Sequence, residues 1–472
     1  MLIDQNLSLV AEGRAYLHHM LVDYRKAEMP AWVTGFHPER LACKIEEPWI
    51  RGSHNLCIPV VFSNNEQWIV RFPREGMTRA EHIDEKVASE VAALQLLRAR
   101  TDIPVPEVKA WGFARDNRLG TGAFIMEVFM PGESLSDILS DPEDGSVPMR
   151  DNLGVVIDNI YRQLARFMVQ IFDLDFSDIG SLYVQTPCTQ PPLTLAANEI
   201  SCLSGADVLG PRSRAFSSTT EYFHHVVEQH WQQFTRQRNS VDDSDEGREN
   251  YVFHRVLKSL TDHQAWPEHD AGPFKLICDD FGPANMLVNN SRELKIVGVV
   301  DLEWSYAGPA QLFATAPWWL LQERPSVWLH TTERRDMFLR HWARFKQILE
   351  EEEARLRPEG SGWLSALVKR SEENGTMWYH MVLGASFIAY DDFPSVELRA
   401  SIPDWEERAA EVSEEDIQSF LGGKKKELEA YEADKETIQP RIADVQANKM
   451  TDRDLVAFIE GLYGRGGYGR AG

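Results

Sequence analysis

The stretch Leu276-Ile-Cys-Asp-Asp-Phe-Gly-Pro-Ala-Asn-Met-Leu-Val288, with Ile296-Val-Gly-Val-Val-Asp-Leu-Glu-Trp304 behind it, decides how this chain reads. An apolar run delivers Asp280, and Asn285 follows five residues later. A short apolar strand, residues 286–288, leads to a second apolar strand that delivers Asp301. Phosphoryl transfer needs such a set. One carboxylate orients the attacking hydroxyl and accepts its proton, while an amide and a second carboxylate hold magnesium on nucleotide phosphates. Hard oxygen donors suit that metal. A lone Asp-x4-Asn is more often a turn, but an Asp emerging from an apolar strand 21 residues after Asp280 shifts the balance toward chemistry.

Upstream, residues 56–62 and 68–72 are β-rich runs separated by Ser63-Asn64-Asn65-Glu66, which predicts a hairpin. Residues 85–97 carry Val87, Val91, Leu94 and Leu97 at helical spacing. Ile103-Pro-Val-Pro106 ends that helix, because a residue before proline is biased away from the helical region. Residues 108–113 and 123–129 read as two more strands, so the block is α+β on an antiparallel sheet. Beyond Pro131 the chain is mostly helical, over 157–172, 220–238 and 250–262, with β character only near 275–300. Residues 8–30, 334–356 and 404–436 also read as helices, and the Gly/Arg/Tyr-rich end from 461 as a mobile tail.

Composition narrows the partners. The chain has 472 residues, 43% of them hydrophobic and 26% charged, as in folded domains. Asp plus Glu number 73 against 49 Lys plus Arg, a net charge of −24. That charge disfavours nucleic acid and anionic membrane surfaces as partners. Five cysteines without a C-x-x-C pair disfavour a disulfide framework or a zinc ribbon. With no secretory leader and no apolar run long enough to cross a bilayer, the expected address is cytoplasmic.

The quoted segment resembles the catalytic loop of the aminoglycoside phosphotransferase and choline kinase-like enzymes, His-Gly-Asp-x4-Asn followed by Ile-Asp-Trp/Phe-Glu, and most of all their fungal branch. The resemblance runs over residues 47–325. Trp68-Ile-Val-Arg-Phe-Pro73 is similar to the family's phosphate-binding strand, Glu90 to the helix glutamate that pairs with its basic residue, and Phe124-Ile-Met-Glu-Val-Phe-Met-Pro-Gly132 to the hinge over which adenine lies. Phe176-Ser-Asp-Ile-Gly-Ser-Leu-Tyr183 resembles an element typical of the fungal branch.

The resemblance implies a bilobal, protein-kinase-like fold. It divides the chain into an N-terminal helical extension (1–45), a nucleotide-binding N-lobe (46–130), a catalytic C-lobe (131–440) and a tail (441–472). It further implies ATP and Mg2+ as cofactors and a small-molecule hydroxyl as acceptor. Asp280 would be the catalytic base, with Asn285 and Asp301 on the metal and Glu303 beside it. Gly52, Arg71, Glu90, Met126 and Val128 would hold the nucleotide, the last two through their backbone. Three departures stand out. Cys278-Asp279 replaces His-Gly before the base, which costs a histidine brace and sets a second carboxylate beside Asp280. The phosphate-covering segment, Ile50-Arg-Gly-Ser-His-Asn-Leu56, has one glycine only. These departures favour, as the alternative, a pseudokinase that binds nucleotide or protein without transfer.

Overall fold

The computed structural model describes residues 25–74, 76–140, 154–184, 188–321, 324, 332–360 and 362–463. Most of the helix expected over 8–30 lies outside the described residues, but the chain is helical over Arg25–Thr34. The expected hairpin forms from β3 (Asn55–Phe62) and β4 (Gln67–Pro73), in the register Leu56 opposite Phe72 and Val60 opposite Trp68. Asn65 takes a left-handed φ of 69° in the turn, a conformation that asparagine tolerates. With β1 (Cys43–Ile45), β2 (Ile50–Arg51), β5 (Val108–Gly112) and β6 (Phe124–Val128), these strands make an antiparallel sheet ordered β1-β3-β4-β6-β5, with β2 also on β3.

Alternation sorts this sheet into two faces. Leu56, Ile58, Val60, Trp68, Val70, Phe72, Phe124 and Met126 bury one face against Met29, Trp32 and Val33 of the first helix. Each such buried side chain contributes about 1.5–3 kcal/mol. The helix Ile83–Arg100 covers the other face, setting Val87 and Val91 on Ala123 and Ile125. Arg71, directly opposite Ile125, therefore points to the helix side with Glu127. The same alternation that buries Val70 delivers Arg71 to the cleft.

The remainder is mostly helical. Two small antiparallel sheets are set in it, from β7 (Glu133–Ser134), β8 (Asp175–Phe176), β9 (Gly180–Ser181), β10 (Phe274–Cys278), β11 (Met286–Val288), β12 (Ile296–Val299) and β13 (Ser305–Gly308). Their orders are β8-β10-β13-β9 and β12-β11-β7. The link out of the first sheet needs Gly132, where a Cβ would meet the Leu287 Cβ and the Val288 carbonyl oxygen at 2.9 Å. The helix Ile83–Arg100 is fastened to this larger part. Ser89 Oγ donates to the Ser305 carbonyl at 2.9 Å, Ser181 Oγ donates to Glu85 at 2.5 Å, and buried Arg212 pairs with Glu85. The molecule is thus an α+β, kinase-like fold of two lobes. At the C-terminus a 33-residue helix, Glu414–Gln446, is followed by Asp452–Tyr463. The tail expected from 461 therefore begins inside a helix, and the rest of it lies outside the described residues.

Candidate active site

Local pairing assembles the core of the site. Strand β10 runs into Asp279 and Asp280. Met286 lies opposite Val299, so Asn285 falls beside Val300, whose N–H donates to the Asn285 carbonyl at 2.9 Å. The Asn285 side-chain amide donates to both the carbonyl and the Oδ2 of Asp280, each at 2.9 Å. Asp301 has a left-handed φ of 60°. That conformation costs roughly 1–2 kcal/mol outside glycine, though Asp tolerates it better than most residues. It turns the carboxylate toward Arg71, whose Nη2 donates to Oδ1 at 2.5 Å.

Arg71 is 4% exposed and carries three carboxylates. It pairs with Glu90 and Asp301, and Glu127 Oε1 lies 3.7 Å from Nη1. A second buried cation, Lys86, sits one helical turn before Glu90 and holds Glu303 Oε2 at 2.5 Å. The same Oε2 accepts from Asn55 at 2.6 Å, and His54 lies 3.5 Å from Oε1. Glu303 is therefore committed to Lys86, Asn55 and His54, rather than standing free beside a metal. Burial would raise it, but Lys86, His54 and Arg71 hold it down at about 2. Burial pushes Glu90 and Glu127 up despite Arg71. Asp301 rises too, by burial and by repulsion from Glu303. Four carboxyl groups (Glu90, Glu127, Asp301, Glu303) thus face two cations (Arg71, Lys86), and burial raises three of the four.

The departures before Asp280 have structural counterparts. Cys278 Sγ accepts from Ser305 Oγ at 3.3 Å, and burial pushes the thiol up to about 12. The loop is braced from Asp279 instead. Its carboxylate accepts from the Leu195 N–H, at the start of the helix Leu195–Leu203, at 3.0 Å, and its carbonyl accepts from Trp318 Nε1 at 3.2 Å. Burial is the main reason Asp279 rises to about 6, and the Asp280 charge is a smaller one. A raised carboxyl stabilises the fold fully below its unfolded value near 3.9, and that stabilisation is lost as pH rises through 6. Wild type should therefore lose about 1 kcal/mol more than Asp279→Asn between roughly pH 5 and 7.5. Denaturation midpoints at the two pH values check this, and parallel losses in the two proteins would refute it.

The structure brings Arg71, Glu90 and Asp301 into direct contact, and Asp280 into contact with Asn285. It does not leave the nucleotide-side backbone groups free. Met126 is paired with Val70 and Ala110 inside the sheet, its side chain in the core beside the first helix. The Val128 N–H donates to the Glu107 carbonyl at 3.0 Å. Gly52 likewise spends its N–H on the Asn55 carbonyl at 3.0 Å, and a Cβ there would meet only ordinary contacts. Sequence reading missed Lys86, Asn55, Glu127 and Arg324, whose Nη2 holds Asp280 Oδ1 at 2.5 Å. Lys86 had a signal, its four-residue spacing to Glu90, and Arg324 had none.

The chain belongs to the Phosphotransferase enzyme family (APH), whose sequence model matches residues 59–348. "Altered inheritance of mitochondria protein 9, mitochondrial" of Candida dubliniensis is 31% identical over 136 residues, which are 28% of this chain and 20% of the relative. The "Subtelomeric hrmA-associated cluster protein" of Aspergillus fumigatus is 33% identical over 133 residues, 28% of this chain and 23% of the relative. The matched segment thus spans about a fifth of these relatives' length. Among solved structures, a macrolide 2'-phosphotransferase from Brachybacterium faecium has a TM-score of 0.35 at 15% identity, covering 81% of this chain and 97% of that one. A microcompartment-associated aminopropanol kinase has a TM-score of 0.40 at 14% identity, covering 82% and 91%. The cytoplasmic address is corrected by the curated relatives, several of which are named as mitochondrial proteins and point to mitochondria instead. Among the described residues, no helix is long and apolar enough to cross a membrane.

Proposed function

We propose that the chain transfers the γ-phosphoryl group of ATP to a hydroxyl of a small molecule, with Asp280 as base. The observation that carries this is the contact set Asp280–Asn285 and Asp301–Arg71–Glu90 in one cleft that holds more carboxyl groups than cations. A divalent cation fits that cleft. Asn285 uses its amide nitrogen on Asp280, which leaves its carbonyl oxygen to offer, and Asp301 supplies a carboxylate. Among the described residues no group of three or more His, Cys, Asp or Glu could hold a metal alone. This suits Mg2+, which takes one or two protein oxygens and completes its shell with phosphate and water. When bound, it would offset phosphate charge.

The protein's own groups do the rest. Asp280 orients the acceptor hydroxyl and takes its proton as the oxygen bonds to the γ-phosphorus and ADP leaves. Arg71, steadied by Glu90, directs its guanidinium to the phosphates, and Lys86 with Asn55 fixes Glu303 behind Asp301. Calorimetry of ATP with and without Mg2+ tests the reading. Asp301→Ala should weaken Mg2+-dependent binding by about tenfold or more, because it removes one of two protein oxygens on the metal. Equal binding by wild type and variant would sink the metal assignment.

A second reading, nucleotide binding without transfer, is favoured by the arginines that engage both Asp280 and Asp301, Arg324 and Arg71, and by Cys278 where the family has histidine. ATP binding with no phosphorylated product over a broad alcohol panel would select it.

A further inference from the structure

A cavity of about 200 Å³ opens at the residues that flank Asp280. Asp279 and Phe281 line it, as does Arg324, the side chain in contact with the Asp280 carboxylate. The cavity is therefore lined by both chain neighbours of the group assigned as base and by its arginine partner. Its wall is apolar, with Ile277, Leu312, Phe313, Trp318 and Met381. The first four of these are only partly buried although they stand in the middle of the larger lobe. Apolar side chains left open to a concave space mark a ligand site. An apolar void of about 150 Å³ already holds benzene, so there is room for a ring-sized body.

The polar groups of the wall are already engaged within the protein. His380 Nδ1 lies 3.0 Å from the Thr315 hydroxyl, and burial lowers its titration to about 3, so it carries no charge at neutral pH. Asp279 accepts from the Leu195 N–H, and Arg324 is paired with Asp280. With Arg324 spent on Asp280, the wall keeps one acidic group, Asp279. One carboxyl cannot compensate several ammonium groups, and burying them unpaired is costly. The acidic span 404–444, with 13 acidic and six basic residues, supplies no side chain to this wall.

Resting on the phosphotransferase reading, we infer that the acceptor is a neutral, largely apolar alcohol whose body fills the cavity beside Trp318 and Met381 and whose hydroxyl emerges at Asp280. In the transfer, its oxygen forms the new bond to the γ-phosphorus, the bond from that phosphorus to the ADP oxygen breaks, and the hydroxyl proton passes to Asp280. A polycationic amino sugar is the acceptor this wall excludes.

The test is calorimetric, on the full chain, with 2-naphthalenemethanol and kanamycin as probes and the nonhydrolysable nucleotide AMP-PNP with Mg2+ titrated separately. The alcohol should bind about tenfold or more tightly than kanamycin. Leu312→Ala, which removes wall, and Ala385→Phe, which fills space, should each weaken the alcohol by about tenfold, with nucleotide binding retained as proof of folding. Tighter binding of kanamycin, or an alcohol affinity unchanged in both variants, overturns the inference. If nucleotide binds and the alcohol does not, the inference fails while the phosphotransferase reading stands. If the alcohol binds and nucleotide does not, the transfer reading and the acceptor role fall, while the ligand class stands.

Discussion

Asp280→Asn is expected to lower kcat by about 10²–10⁴-fold, the usual contribution of a positioned general base. The substitution keeps the shape of the side chain and the oxygen that accepts from the Asn285 amide, so the loop should hold its geometry. What disappears is the charge that takes the proton and the partner of Arg324. Nucleotide affinity should change little, because Arg71 and Asp301 are untouched. Product formation with an accepted alcohol, measured beside AMP-PNP calorimetry, separates the two effects. A loss below about tenfold would move the proton elsewhere, with Asp279 as the nearest alternative carboxyl.

The second large effect is on stability. Lys86→Met should destabilise the protein by about 3–5 kcal/mol, because it leaves Glu303 as a buried charge without its closest cation. Glu303 is 3% exposed and Lys86 2%, so water cannot replace the lost partner. His54 and Asn55 contact the same carboxylate and soften the loss, and Arg71 lies 4.0 Å from it. Adding Glu303→Gln removes the buried charge and should restore more than half of the stability. Chemical denaturation of the two single variants and the double variant measures the coupling. Additive losses would show that Lys86 and Glu303 act independently, against the geometry. The same pair bears on function, since it ties the helix that carries Glu90 to the chain that carries Asp301.

Several parts of the site were legible because they are local. Asp280 and Asn285 are five residues apart, and a hairpin of two short strands brings Asp301 to them, so spacing and apolar patterning suffice. Arg71 and Glu90 entered through the family resemblance, and the fold sets one on the cleft face of a strand and the other on the inward face of a helix. On the adenine side the sheet takes up the Val128 N–H. Whether a strand's N–H is free depends on its neighbours, and Val128 meets Glu107 only in the folded chain. Trp318 and Trp319 show the same limit: the second is buried at 3% exposure and the first only half-buried, yet both line the cavity.

By itself the sequence determined the hairpin sheet, the covering helix and the helical second lobe, and it marked Asp280 as the candidate base and Asn285 and Asp301 as the candidate metal-facing residues. Period-two and helical patterns and turn residues act over a few positions, and such information lies along the chain. Only the tertiary structure decided that Lys86 meets Glu303, that Asn55 reaches across to it, that Arg324 caps Asp280, and that an apolar cavity opens beside the base. Asn55 and Glu303 are 248 residues apart. Contacts at that separation are set by how two lobes pack, and the pairing of buried charges there follows from exclusion of water that no local pattern records.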